Sequence, residues 1–365
     1  MPAVDLRARA AVRGLGTYHP GMPIEEVKRK LKLSSVIKLA SNENALGPSP
    51  KAIAALKKVT GSLHRYPEST CPDLRAKLAK RLEVPSESLV FGNGSDELIV
   101  LALRAFVDPG DEVLVARPTF LIYELQAKAC GASVVTVPSL HYRYNLKAMK
   151  AAVTPRTKLV FIANPDNPTG TYVTRRELTE FLRGLNRDTI VFLDEAYYEF
   201  VDATDYPQSL SLFHDHPMII TRSFSKAYGL AGLRIGYGVT QPPIAAALEA
   251  VREPFNVNSL AQAAAAAALD DAAFLRKTKK LLAEGRKYLT AQLNALKLRH
   301  VPSVTNFIMM PLGPRAPEVA KELLSRGVIV RELSAWQLPG CLRVTIGTMP
   351  ENRRFIQTLK QCLAG

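Results

Sequence analysis

The chain has 365 residues, which at about 100–200 residues per domain fits two domains, or one large domain with a smaller companion. Hydrophobic residues make up 47% and charged residues 22%, so a sizeable core is within reach and the disordered class is excluded. Lysine and arginine total 48 against 33 acidic residues, a net charge of +15, which points to nucleic acid, an anionic membrane, small anionic ligands or a basic solvated surface.

Residues 1–45 read as an arm. Its first stretch, Met1–Gly16, carries Asp5 among arginines and lacks the apolar run of a secretory signal. The Pro-rich Gly47-Pro48-Ser49-Pro50 then leads into a large domain over 46–250. Three basic patches, Lys28–Lys32, Arg75–Arg81 and Arg276–Lys280, alternate with apolar residues at helical spacing and read as solvated helix faces. No DNA- or RNA-binding module accompanies them, so no nucleic-acid partner is expected. The strongest apolar run, Leu98–Val107, is interrupted by Arg104 and falls far short of the ~18 residues of a membrane span.

From Val90 to Val239, short β-branched runs alternate with amphipathic helical patterns, the signature of an α/β fold with a mainly parallel sheet. Strands are expected at Glu112–Ala116, Ser133–Val137, Lys158–Ala163, Thr189–Leu193, Met218–Arg222 and Arg234–Val239. Helices are expected from near Ser95 to Asp108-Pro109-Gly110, from Thr119 to Cys130 with Gly131 closing it, and after a Thr174/Glu177 capping box. Beyond Val251 the pattern changes. Residues 259–298 read as helices, and apolar runs follow near Asn306–Met310, Val328–Arg331 and Cys341–Ile346, giving a smaller α+β domain over 251–365. The cysteines, at 71, 130, 341 and 362, form no C-x-x-C pair and no zinc spacing, and read as reduced thiols of a cytoplasmic protein without a metal.

Ligands of open α/β sheets bind beyond the carboxyl ends of the strands, and the polar residues collect there. Gly92-Asn93-Gly94-Ser95-Asp96 enters a helix and could cradle an anion on free backbone N–H groups. Asn164-Pro165-Asp166-Asn167 follows one strand, Asp194-Glu195-Ala196-Tyr197 another, and Ser223-Phe224-Ser225-Lys226 a third. Singly, each could be a turn, a cap or a surface lysine. Together, an anion cradle, an acid, an amide and a lysine are what pyridoxal phosphate chemistry needs: an amine for the Schiff base, a carboxylate for the ring nitrogen and donors for the phosphate.

Ser-x-Ser-Lys followed by Gly-Leu-Ala-Gly-Leu-Arg-Ile-Gly, with Lys226 eight residues before Arg234, resembles the fold-type I aminotransferases. Leu39-Ala40-Ser41-Asn42-Glu43-Asn44, Gly47-Pro48, Arg65-Tyr66-Pro67 and Gly340-Cys341-Leu342-Arg343-Val344-Thr345-Ile346-Gly347 are similar to the histidinol-phosphate aminotransferases among them. The resemblance implies a seven-stranded, mainly parallel sheet in the large domain and pyridoxal 5'-phosphate as cofactor. It implies ping-pong transamination of L-histidinol phosphate with 2-oxoglutarate, giving imidazole-acetol phosphate and L-glutamate.

By the same resemblance Lys226 carries the cofactor and moves the substrate proton, Asp194 pairs with the ring nitrogen, and Asn167 and Tyr197 bond the ring 3-oxygen. Phe120 stacks on the ring, where relatives often have Tyr. Ser95, Asp96, Ser223, Ser225 and Arg234 hold the phosphate, and Tyr66 reaches it from the neighbouring subunit of a homodimer. Arg343, with Arg331, forms the substrate's anion fork, and Tyr18 and Asn44 are further substrate-binding candidates. Related aromatic or broad-specificity aminotransferases and threonine-phosphate decarboxylase share these motifs. A non-catalytic nucleic-acid-binding relative would need an added module, for which the chain has no room.

Overall fold

The computed structural model describes residues 8–16 and 21–364. Along the chain run α1 (Ile24–Leu31), β1 (Ile37–Lys38), α2 (Pro50–Val59), α3 (Pro72–Leu82), β2 (Leu89–Gly92), α4 (Ser95–Phe106), β3 (Glu112–Arg117), α5 (Leu121–Cys130), β4 (Ser133–Pro138), α6 (Leu146–Ala151), β5 (Thr157–Ala163) and α7 (Arg175–Leu182). There follow β6 (Ile190–Asp194), β7 (Met218–Ser223), β8 (Gly236–Thr240), α8 (Pro242–Ala250), α9 (Ser259–Leu269), α10 (Ala272–Ala295), β9 (Phe307–Pro311), α11 (Ala316–Ser325), β10 (Val328–Ile329), β11 (Arg331–Glu332), β12 (Cys341–Thr345) and α12 (Met349–Ala364).

Seven strands form one sheet in the order β2-β8-β7-β6-β5-β3-β4. All its pairings are parallel except those of β8, which is antiparallel to both β2 and β7. The near-continuous apolar strands follow from burial on both faces. Leu114, Val160, Ile162, Val191, Leu193 and Ile220 pack into one cluster, while Val113, Val115, Leu159, Phe161, Phe192 and Ile219 pack into the other. Each such side chain contributes roughly 1.5–3 kcal/mol by leaving water, so the sheet is a rigid platform for whatever its edge carries.

The helix signals operate as the residues dictate. Gly131, at φ +88°, ends α5 in the left-handed region. Thr174 and Glu177 cap α7 reciprocally, with Glu177 N donating to Thr174 Oγ1 at 3.2 Å and Thr174 N donating to Glu177 Oε2 at 2.7 Å. Helix α5 begins at Leu121 rather than Thr119, because Phe120 is the extended residue that enters it. The last strand of the large sheet starts at Gly236, since Arg234 takes a left-handed conformation at φ +57°.

Three short strands in the order β11-β12-β9 form a separate antiparallel sheet. The run expected at Val328–Arg331 is two strands in two sheets: Val328–Ile329 pairs in parallel with β1 from the N-terminal arm, and Arg331–Glu332 pairs with β12. The Ala-rich α9 packs on α2 and α3. All four cysteines are free. No helix among the described residues is long and apolar enough to cross a membrane.

Candidate active site

A cavity of about 280 Å³ opens at the carboxyl edge of the large sheet. Strands β3, β5, β6 and β7 run toward this edge and hand over to Phe120, Asn167, Asp194 and Ser223. Because β8 is antiparallel it starts where they end, which brings Arg234 to the same edge. The lining gathers Ser95, Asp96, Phe120, Asn167, Asp194, Tyr197, Ser223, Ser225, Lys226, Arg234, Arg331 and Arg343.

At one end is a backbone cradle. Gly94 enters α4 at φ +81°, and a Cβ there would lie 2.5 Å from Arg234 Nη2. Gly236 lies opposite both Gly92 and Ser223 in the sheet, and a Cβ on it would lie 2.5 Å from Ser95 N. Only glycine permits the close approach of position 94 to the Arg234 guanidinium and of position 236 to the Ser95 N–H. The loop after β7 is closed by Ser225 N donating to Ser223 Oγ at 3.1 Å. Positive helix end, hydroxyls and arginine converge in the manner of an anion site.

In the middle, Asp194 is buried, and burial pushes its carboxyl up to about 6. Three donors oppose that rise: Tyr123 OH at 2.6 Å to Oδ2, Ala196 N at 3.0 Å and Thr221 Oγ1 at 3.4 Å to Oδ1. Lys226 shows the opposite response. Burial first, and then the Arg343 charge, bring its amine down to about 8, while Asp96 and Glu43 pull it up. Its Nζ lies 5.7 Å from the Tyr197 ring centroid. Burial raises the Tyr197 phenol to about 12, so it keeps its proton at neutral pH. Asn42 Nδ2 donates to Tyr197 Oη at 2.9 Å, so the phenol is anchored as an acceptor and its own proton is left to donate.

At the other end, Arg343 is buried, with Nη2 donating to Ala40 O at 2.8 Å and Nη1 to Asn167 Oδ1. With its oxygen held by Arg343, the Asn167 amide presents its NH₂ as a donor. Arg331 faces Arg343 directly across the β11–β12 pair.

Of the expected residues, Tyr66 and Asn44 do not line this cavity; for Tyr66 that is the placement of a residue serving a neighbouring subunit's site. Tyr66 lies away from the cavity, 83% exposed and stacked on Phe255 with ring centroids 4.7 Å apart. Asn44 is behind the cavity wall, its Nδ2 donating to Ala227 O at 2.9 Å and Thr278 Oγ1 at 3.1 Å, so it braces the turn after Lys226. Tyr18 lies outside the described residues. Two lining residues carry roles that the sequence reading did not assign, Asn42 and Tyr123. Tyr123 lies in the first turn of the helix that Phe120 enters, its ring centroid 5.5 Å from that of Phe120, and Asn42 lies within Leu39-Ala40-Ser41-Asn42-Glu43-Asn44.

Residues 34–359 match the model of the family described as aminotransferase class I and II. The chain is 47% identical over 360 residues to the histidinol-phosphate aminotransferase of Moorella thermoacetica, covering 98% of this chain and 93% of that one. It is 45% identical over 355 residues to that of an Anaeromyxobacter species, covering 96% and 98%. Among solved structures, the histidinol-phosphate aminotransferase of Sinorhizobium meliloti in complex with pyridoxal-5'-phosphate superposes with a TM-score of 0.90 at 28% identity, over 98% of both chains. The sheet edge, its lysine and aspartate, and these likenesses along nearly the whole chain agree: the protein belongs to the class I and II aminotransferases and, within them, to the histidinol-phosphate aminotransferase family.

Proposed function

We infer that the residues of this cavity carry the transamination of L-histidinol phosphate with 2-oxoglutarate to imidazole-acetol phosphate and L-glutamate in histidine biosynthesis, in two half-reactions through one site. The observation that carries the assignment of roles is the burial of Lys226 and Asp194 on one cavity with a glycine-lined anion cradle beside them. That cradle, a buried amine and a buried carboxylate are the donor and acceptor set that pyridoxal phosphate requires, so the site fits the family's cofactor.

Bound there, pyridoxal phosphate supplies the aldehyde that captures an amine and the ring that accepts the electron pair released when the substrate Cα–H bond breaks. The N-terminus of α4 at Ser95 and Asp96, with Ser223, Ser225 and Arg234, holds the phosphate. Asp194 holds the proton on the ring nitrogen. Asn167 and Tyr197 donate to the ring 3-oxygen, and Phe120 covers a ring face. Lys226, whose amine burial brings down to about 8 so that a minority of molecules hold it as the free base near neutral pH, takes the Cα proton and returns it to the other side of the transferred amino group. Arg331 and Arg343 bind the phosphate of one donor and the carboxylate of the other, because a guanidinium fork matches both anions.

The active form is a homodimer in which Tyr66 completes the partner's phosphate site. Support comes from its stacked, outward-facing pair with Phe255, together with exposed Leu63 and Ile53. The chain divides into the arm (1–45), the large cofactor domain (46–250) and the small domain (251–365). The pairing of β1 with β10 and the confinement of the β11-β12-β9 sheet to 307–345 support this, while α9 ties the small domain to α2 and α3. A cytoplasmic location fits the free thiols, and the placement of the site's cations on one small cavity favours small anions over nucleic acid.

The test is a panel of amino donors with 2-oxoglutarate held fixed. The expected result is the highest kcat/KM with L-histidinol phosphate; a higher value for an aromatic amino acid would make the chain a broad aromatic aminotransferase instead.

A further inference from the structure

Arg331 and Arg343 are cross-strand partners of an antiparallel pair, so two permanently charged side chains leave the same face of the sheet from facing positions. Like charges in that register repel, and two flexible side chains would ordinarily splay apart. Arg343 is held in part by Ala40 O and Asn167 Oδ1, and Trp336 meets both arginines. Trp336, the only tryptophan of the chain, is 2% exposed, and its ring centroid lies 4.9 Å from Cζ of Arg331 and 5.7 Å from Cζ of Arg343. Both distances are within the ~6 Å at which an aromatic face attracts a cation.

The ring is itself fixed. It ends the short helical turn Ser334–Trp336, where Ser334 N and Oγ both donate to Glu332 Oε1, at 2.9 and 2.6 Å. Glu332 is the residue after Arg331, so the turn is tied to the strand that carries the arginine. The indole packs with Leu333, Met309 and Cys341 against Leu121 of α5, and borders a narrow crevice beside Phe120. Its Nε1–H has no hydrogen-bond partner among the described residues, so packing and the two guanidinium contacts hold the ring.

We propose that Trp336 is a positioning residue for substrate recognition: its indole holds Arg331 and Arg343 as a facing pair in spite of their repulsion, so that the anion fork stands ready before substrate arrives. Preorganisation of this kind appears in affinity, because the ordering cost is met in folding and not in binding. The proposal rests on the assignment of the two arginines as the anion fork.

The experiment titrates maleate and inorganic phosphate into the holoenzyme by calorimetry, for the natural chain and for Trp336→Leu, Trp336→Phe and Arg343→Met. Trp336→Leu is expected to weaken both anions by about tenfold, the effect of ~1.4 kcal/mol. It should raise KM for both substrates while kcat and cofactor affinity stay near the natural values, and Trp336→Phe, which keeps an aromatic face, should recover most of the loss. In the natural chain the sole indole gives a second readout: anion binding should change its emission as the adjacent guanidiniums are neutralised. Unchanged anion affinity in a folded, cofactor-loaded Trp336→Leu, with affinity lost in Arg343→Met, would overturn the role of Trp336 alone. Affinity retained in Arg343→Met would overturn the fork and this inference together. If Trp336→Leu fails to fold, anion affinity in Trp336→Phe and the emission titration decide: a silent emission with calorimetric binding contradicts the proposal.

Discussion

Burial drives Lys226 and Asp194 in opposite directions along the pH scale, and so toward each other: the amine falls to about 8 and the carboxyl rises to about 6. Capture of pyridoxal phosphate by the apoenzyme should therefore strengthen as pH rises through 6, where Asp194 ionises, and again toward 8, where Lys226 loses its proton. Tyr123 sets the first of these limbs, since its 2.6 Å bond stabilises the Asp194 carboxylate. In Tyr123→Phe the lower limb should move up by about one pH unit or more, because a hydrogen bond to a charged group is worth ~1.5–3 kcal/mol and one unit corresponds to 1.36 kcal/mol. Cofactor titrations between pH 5 and 8 would show this, and an unmoved limb would mean that the bond does not matter to Asp194. Residues that touch the cofactor or substrate by family resemblance stood out in the sequence, because their chemistry demands one residue type at one spacing. Tyr123, Asn42 and Trp336 act through another side chain, and such a role leaves no type-specific trace in a single sequence.

The strand–loop elements owe the site to one exception in the sheet. Parallel strands were legible as apolar runs separated by helical patterns, but the reversed sense of β8 was not, because a strand buried on both faces reads the same in either direction. That reversal delivers Arg234 and places Gly236 against Ser95 N. Gly236→Ala forces a Cβ into backbone that cannot yield, so the cradle must open. Affinity for pyridoxal phosphate should fall by about tenfold or more, as when charge-assisted phosphate contacts worth roughly 1.5–3 kcal/mol are lost, while affinity for unphosphorylated pyridoxal changes little. Equal losses for the two ligands would place the damage elsewhere than the phosphate end. Strands β1, β10 and β11 were illegible as separate elements for a simpler reason: two residues are too short for a period, and only the change of partner at Val330 divides them.

Across the whole molecule, the +15 charge resolves into two populations. Part of it lies on exposed helix faces such as that of α10, where Arg276, Lys277, Lys279, Lys280 and Lys287 face solvent with a single acid, Glu284, in the helix, and where a surface ion pair such as Lys280–Glu284 has small energetic weight. A few residues, Lys226, Arg234, Arg331 and Arg343, line one cavity for anions. If Tyr66 completes a partner's site, mixing inactive Lys226→Ala and Tyr66→Ala chains should restore activity, since the mixed dimer holds one site with both residues intact; no recovery on mixing would leave each chain's site self-contained. The central claim concerns the amino group and its donor. On mixing the pyridoxal phosphate form with L-histidinol phosphate in a single turnover, the cofactor absorbance should convert to that of the amine form and return on addition of 2-oxoglutarate. Persistence of the starting spectrum with L-histidinol phosphate, or release of carbon dioxide from threonine phosphate, would contradict it.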